Sequence, residues 1–155
     1  MNIYLSLFLL VNIFSVSTSN ESGKGLLVAG GYDFDTGYVS DQVEFIDLET
    51  LTSCIVDVTI DMPRQLHTGD GDLVCGGTEY DLTSFDSCYN IVTGATINLN
   101  SERYNHVSWS RANGQETYLL GGKDRYASGA EYVTTSELIT GDTTETAFDL
   151  QYDIE

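Results

Sequence analysis

The chain has 155 residues, with 24 acidic against 6 basic side chains, a formal charge of −18 at pH 7, 41% apolar and 11% aromatic residues. That apolar share supports a domain with a core of its own rather than a disordered acidic tail. No cluster of Lys or Arg is present to displace counterions, which argues against nucleic acid and anionic membrane surfaces as partners.

The first element is an almost wholly apolar run from Ile3 to Phe14, followed by Ser15-Val16-Ser17-Thr18-Ser19-Asn20. A bilayer core needs about 20 helical residues, whereas a secretory signal uses an apolar stretch of about 7 to 15 before small residues at the cut. Residues 1–19 are therefore expected to be a removable signal peptide, with Ser17 and Ser19 at the small positions and residues 20–155 as the mature domain. No Lys or Arg precedes the run, so the α-amino group alone supplies positive charge; the competing reading is a buried N-terminal strand. No later segment approaches 18 apolar residues, so no membrane anchor is expected. Secretion permits disulfides among Cys54, Cys75 and Cys88 and makes Asn20-Glu21-Ser22 a formal glycosylation acceptor.

Beyond the leader, short apolar runs end in a Gly pair three times: Leu26 to Gly30-Gly31, Leu73 to Gly76-Gly77, and Tyr118 to Gly121-Gly122. The pairs recur at 46 and 45 residues, a period that indicates a repeat architecture. Arg64-Gln65-Leu66-His67 precedes the second pair and Arg103-Tyr104-Asn105-His106 the third, with Asp70-Gly71 and Asn113-Gly114 between as tight-turn dipeptides. The second hairpin is longer than the first by even numbers of residues on both arms, which keeps every side chain on its original face. A polar, variable stretch follows each Gly pair. A third strand is then predicted near Val43–Leu48, Cys88–Val92 and Glu137–Ile139, and a fourth near Cys54–Ile60 and Ala95–Leu99. Thr, Val, Ile and Tyr dominate these segments and no helical period stands out, so the fold class is all-β with helix content near nil.

The phased set of Arg-x-x-His, hydrophobic run, Gly-Gly and Val-Glu-x-x-Asp strand resembles the kelch repeat over most of residues 24–150. The Trp that kelch units carry after the third strand is replaced by Ser53 and Thr96, and the lone Trp109 falls in a first strand. The resemblance implies four-stranded blades of a β-propeller, with units near 20–62, 63–101 and 102–155, in a family made mainly of protein-interaction modules with a galactose-oxidase-like branch. Propellers typically close with about 4 to 8 blades, so three leave open edges, and missing blades or self-association are expected.

His67 and His106 occupy equivalent repeat positions, which a rotation relates rather than converges, so each is expected to hydrogen-bond backbone inside its blade together with Arg64 or Arg103. Cys75 ends a second strand and Cys88 opens a third; of the three possible pairings, Cys75–Cys88 is preferred because it closes the loop 78–87 across neighbouring strands, leaving Cys54 over. Asp33 to Glu44 matches a calcium-loop frame at its acids but fails at Gly37 and Tyr38, so Glu44 is read as a strand residue. The Tyr residues, among them Tyr118, Tyr126, Tyr132 and Tyr152, are read as blade packing rather than copper ligands. No catalytic, cofactor or metal residue is assigned. The expected function is a secreted module that binds an extracellular protein or glycan through the loops 32–42, 78–87 and 123–134, the rival being a fragment of a galactose-oxidase-like or glycan-acting enzyme.

Overall fold

The computed structural model describes residues 14–15, 25–81, 83–111, 115–124 and 131–151. Among the described residues it contains fourteen strands and no helix. In chain order they are β1 (Phe14–Ser15), β2 (Gly25–Ala29), β3 (Tyr32–Asp33), β4 (Tyr38–Val39), β5 (Gln42–Asp47), β6 (Thr52–Thr59), β7 (Thr68–Asp70), β8 (Leu73–Cys75), β9 (Ser87–Asn90), β10 (Thr96–Asn98), β11 (Val107–Ser110), β12 (Glu116–Leu120), β13 (Thr135–Thr140) and β14 (Thr143–Asp149). They form three four-stranded antiparallel meanders, β1-β2-β5-β6, β7-β8-β9-β10 and β11-β12-β13-β14, with β3-β4 as a small separate hairpin. These are the blades that the repeat predicts, and the third carries a fourth strand, β14, that the sequence reading did not place.

Local chemistry explains the turns. β7 and β8 join through Gly71-Asp72, because Asp70 already pairs with Leu73, so the tight turn sits one residue later than the Asp70-Gly71 dipeptide suggests. Gly71 takes the left-handed conformation there (φ 58°), at the first central position of the turn. The outer hairpins are started by side-chain oxygens: Asp47 Oδ1 accepts the Glu49 and Thr50 N–H groups, and Asn90 Oδ1 accepts those of Val92 and Thr93. Those bonds, and the Thr50 N–H above all, hold the Asp47 carboxyl below its usual range.

The sheets pack face to face in sequence order. Ala29, Val43, Ile60, Val74 and Ile91 fill the seam between the first and second, and Cys75, Cys88, Ile97, Leu99, Leu119 and Ile139 fill the seam between the second and third. Val43, Val74 and Leu119 are wholly buried, each contributing about 2 kcal/mol through removal from water. At the inner edge β7 lies beside β11, and Ser108 Oγ donates to the Gly69 carbonyl at 3.1 Å.

Of the expected leader only Phe14–Ser15 lies within the described residues; Ser17, Ser19 and the acceptor at Asn20 lie outside them. Phe14 pairs with Leu27 and Ser15 with Leu26, so β1 takes the place in the first sheet that β7 and β11 take in the others. The first sheet thus draws on residues before position 20. No helix among the described residues is long and apolar enough to cross a membrane.

Candidate functional site

The two Arg-x-x-His segments lie at the seams, and each is fixed from both sides. The Arg64 carbonyl accepts the Gly31 N–H of the preceding blade at 2.7 Å, and the Arg103 carbonyl accepts the Gly77 N–H at 2.8 Å. One residue on, Gln65 exchanges backbone bonds with Thr78, and Tyr104 with Lys123, which ties each segment to its own blade just past the Gly pair. The next residue, Leu66 or Asn105, is left-handed (φ 56° and 52°), and this reversal turns the imidazole back into the seam.

The Gly pair is what leaves room for that geometry. A Cβ on Gly76 would stand 2.3 Å from the Arg103 carbonyl oxygen and 2.8 Å from the His106 ring. A Cβ on Gly77 would stand 2.6 Å from the Gln65 carbonyl oxygen and 2.7 Å from the His67 Cβ. The first Gly of the pair therefore admits the next blade's lead-in, and the second admits its own.

Both guanidinium groups are sealed from water and clamp their own blade. Arg64 Nη1 donates to the carbonyls of Gly76 (3.3 Å) and Ser87 (2.8 Å), its Nη2 meets both Asp61 oxygens (2.8 and 2.9 Å), and the group lies 4.5 Å over the Phe85 ring. Arg103 Nη1 donates to the carbonyls of Gly121 (3.2 Å) and Thr135 (3.4 Å), and its Nη2 pairs with Glu137. Glu137 is itself wholly buried and accepts the Asn100 N–H (2.7 Å) and the Ser101 N–H (3.2 Å). Burial pushes both guanidinium groups below the usual arginine range, with the carboxylates opposing it.

The imidazoles are seam pieces. Burial, then the Arg64 charge, holds His67 down at about 4, and its ring faces backbone of Ala29 and Arg64. Burial, then Arg103, holds His106 well below the usual range, and its Nε2 shares a 2.7 Å hydrogen bond with Thr68 Oγ1 of the preceding blade. The expectation of bonding to backbone inside one blade fits the carbonyl contacts of the arginine side chains and is corrected for His106, whose Nε2 reaches Thr68 across the seam; His67 faces backbone of both its own segment, at Arg64, and the preceding blade, at Ala29. Both rings are buried, with the His106 ring against Gly76 and His67 against Gly77.

A different place is open to solvent. The loop after β8 and the loop after β12 meet along a hollow of about 430 Å³ lined by Ser84, Asp86, Asn100, Ser101, Glu102 and Asp124. The linker from β10 to β11 forms its wall, with the Leu99 N–H on the Asp86 carbonyl (2.7 Å) and the Arg103 N–H on the Phe85 carbonyl (3.1 Å). Asp124 fixes its own loop by exchanging two 3.0 Å bonds with the Glu131 backbone. Two of the three predicted binding loops thus converge, and all three charged side chains lining the hollow are acidic.

No protein-family model matches the chain. No curated protein matches it either. Among solved structures it is similar to one titled "Structure of YjhT", with a TM-score of 0.63, 17% identity, and coverage of 87% of this chain. The fold is propeller-like. This chain spans 43% of the length of that structure, less than half.

The other sequence candidates resolve individually. Cys75 and Cys88 stand opposite one another on β8 and β9 and form the disulfide, and Cys54 is free and exposed on β6. Asp33, first of the calcium-loop acids, spends its oxygens on the β3-β4 turn, accepting the Asp35 and Thr36 N–H groups and the Thr36 hydroxyl. Tyr118 packs with Trp109 and Phe148, Tyr132 lies under the Lys123 ammonium, and Tyr126, Tyr152 and the Asn113-Gly114 turn lie outside the described residues. Sequence reasoning missed Asp61 and Glu137 as counter-ions and Thr68 as the partner of His106; an acid three residues before Arg64 was the one available signal.

Proposed function

We propose that the chain is a secreted kelch-type propeller segment that acts as a binding module for an extracellular protein or glycan. The observation that carries the reading is the meeting of loops from successive blades at one open acidic hollow, while every Arg and His of the repeat motif is consumed by the seams. Loops on a rigid frame are where propellers place specificity. Asp86, Glu102 and Asp124, with the hydroxyls of Ser84 and Ser101 and the Asn100 amide, offer acceptors to ammonium, guanidinium or sugar hydroxyl donors. The Cys75–Cys88 bond supports an extracellular address, and the apolar run at residues 3–14 supports it as a leader whose removal would take β1 from the first sheet.

The test is binding to arrays of extracellular proteins and glycans, repeated with Asp86→Asn, Glu102→Gln and Asp124→Asn together. Saturable binding that the triple variant weakens at least about tenfold is expected. Copper retained through purification with turnover of a primary alcohol, and no binding that depends on these carboxylates, would overturn the reading in favour of an oxidase.

A further inference from the structure

The outer faces of the sheet row differ from its two inner seams at equivalent positions. Two residues before each Gly pair, Val28, Val74 and Leu119 point toward the preceding blade; Val74 and Leu119 are fully buried there, whereas Val28 keeps part of its surface exposed. One residue before each pair, Ala29, Cys75 and Leu120 point toward the following blade, and only Leu120 is not buried. The forward face of the third sheet therefore carries Val107, Trp109, Tyr118, Leu120, Leu138 and Phe148, with Glu145 in the Leu138 row, and no further sheet lies on it among the described residues. Trp109 is 56% exposed, although its ring stacks within 5.6 Å of Tyr118. On the backward face of the first sheet, Val28 shares a row with Glu44 and Ile55, and Leu26 shares one with Ile46 and Ser53; Ile55 is 66% exposed.

We infer that a second copy of this chain covers the forward face of the third sheet with the backward face of its own first sheet, and receives the same contact in return. Both internal seams are made in one way, a forward face closed by the Val74 or Leu119 position of a backward face. The forward face of the third sheet needs that same kind of surface, and among the described residues the backward face of the first sheet has no other sheet packed on it, with Val28 in the matching place and Glu44 beside it. Reciprocal contacts give two copies a closed, two-fold ring of six sheets, within the range of about 4 to 8 blades at which propellers close. The inference is independent of what the loops bind.

Trp109 is the single Trp of the chain and reports directly on the forward face. In sedimentation velocity on the full chain, twice the mass of one chain is expected. On raising the concentration, Trp109 emission should shift to the blue and its quenching by acrylamide should fall. Trp109→Glu and Ile55→Glu each change a side chain that one copy exposes, so both variants keep the β-type circular dichroism. Each should raise the dimer dissociation constant at least about tenfold. Ile55→Glu should also leave Trp109 quenchable, which a pair joined forward face to forward face would not show. A single-chain mass at every concentration, or a dimer indifferent to Ile55→Glu, would overturn the inference.

Discussion

The Arg64 and Arg103 sites use the same clamp with different counter-ions. Each guanidinium binds the first Gly carbonyl of its blade and the first carbonyl of the third strand, Ser87 or Thr135. Arg64 takes its charge partner from three residues away, and that carboxylate, Asp61, keeps 24% of its side chain in water. Arg103 takes Glu137 from the third strand of its blade, with no exposure on either side chain. The carbonyl cage is set by backbone repetition, whereas the charge is met by whichever strand or linker can reach it. A desolvated pair leaves far more at stake when one member is removed than a pair that water can still reach.

The largest effect should therefore come at the second seam. Arg103→Met leaves Glu137 buried and uncompensated and should cost about 3 to 5 kcal/mol in urea unfolding, with Glu137→Gln in the same background restoring part of the loss. Equal losses for Arg103→Met and Arg64→Met would break the distinction. Next, Gly76→Ala should cost about 3 kcal/mol, since its Cβ would meet the Arg103 carbonyl and the His106 ring. Gly141→Ala, also left-handed but with nothing within 4 Å, should cost only about 1 kcal/mol. Arg64→Met should cost about 2 kcal/mol, because Asp61 can turn to solvent.

The gentlest probe is pH. Both imidazoles stay neutral in the fold, so below about 6.5 the unfolded chain gains protons that the folded chain refuses, His67 until about 4, with His106 likewise held well below the usual range. Stability should fall as the pH drops from about 6.5 to 5, by about 1 kcal/mol per pH unit for each histidine. His67→Gln should halve that slope in chemical unfolding measured across the window; an unchanged slope would show that His67 titrates alike in both states.

The blade frame was legible because its constraints are steric and repeat. Gly76 and Gly77 cannot be anything larger, and His67 and His106 can turn back only after a left-handed residue, so the same letters recur in phase. Cys75–Cys88 was legible for a related reason, since the ends of neighbouring strands must lie opposite one another. The counter-ions were not legible: an acid three residues away and another 34 residues away perform one task, and no spacing rule covers both. Nor did the sequence announce the β3-β4 hairpin, whose turn depends on one aspartate bonding its own backbone, or the hollow, whose six lining residues come from three separate segments.

The disulfide has a consequence for recognition. Cys75 and Cys88 belong to the apolar filling of the second seam, and the covalent bond between them also closes the base of the loop that carries Ser84 and Asp86. That side of the hollow is anchored to the protein interior before any partner arrives, while the Asp124 side is held by backbone and side-chain hydrogen bonds. Under the proposed function, a partner that grips the tethered wall meets side chains whose loop base is already fixed to the core, which lowers the cost of ordering them on docking. Reducing that one S–S bond would leave the wall that carries Ser84 and Asp86 without its covalent tether to the core, held as Asp124 is by hydrogen bonds.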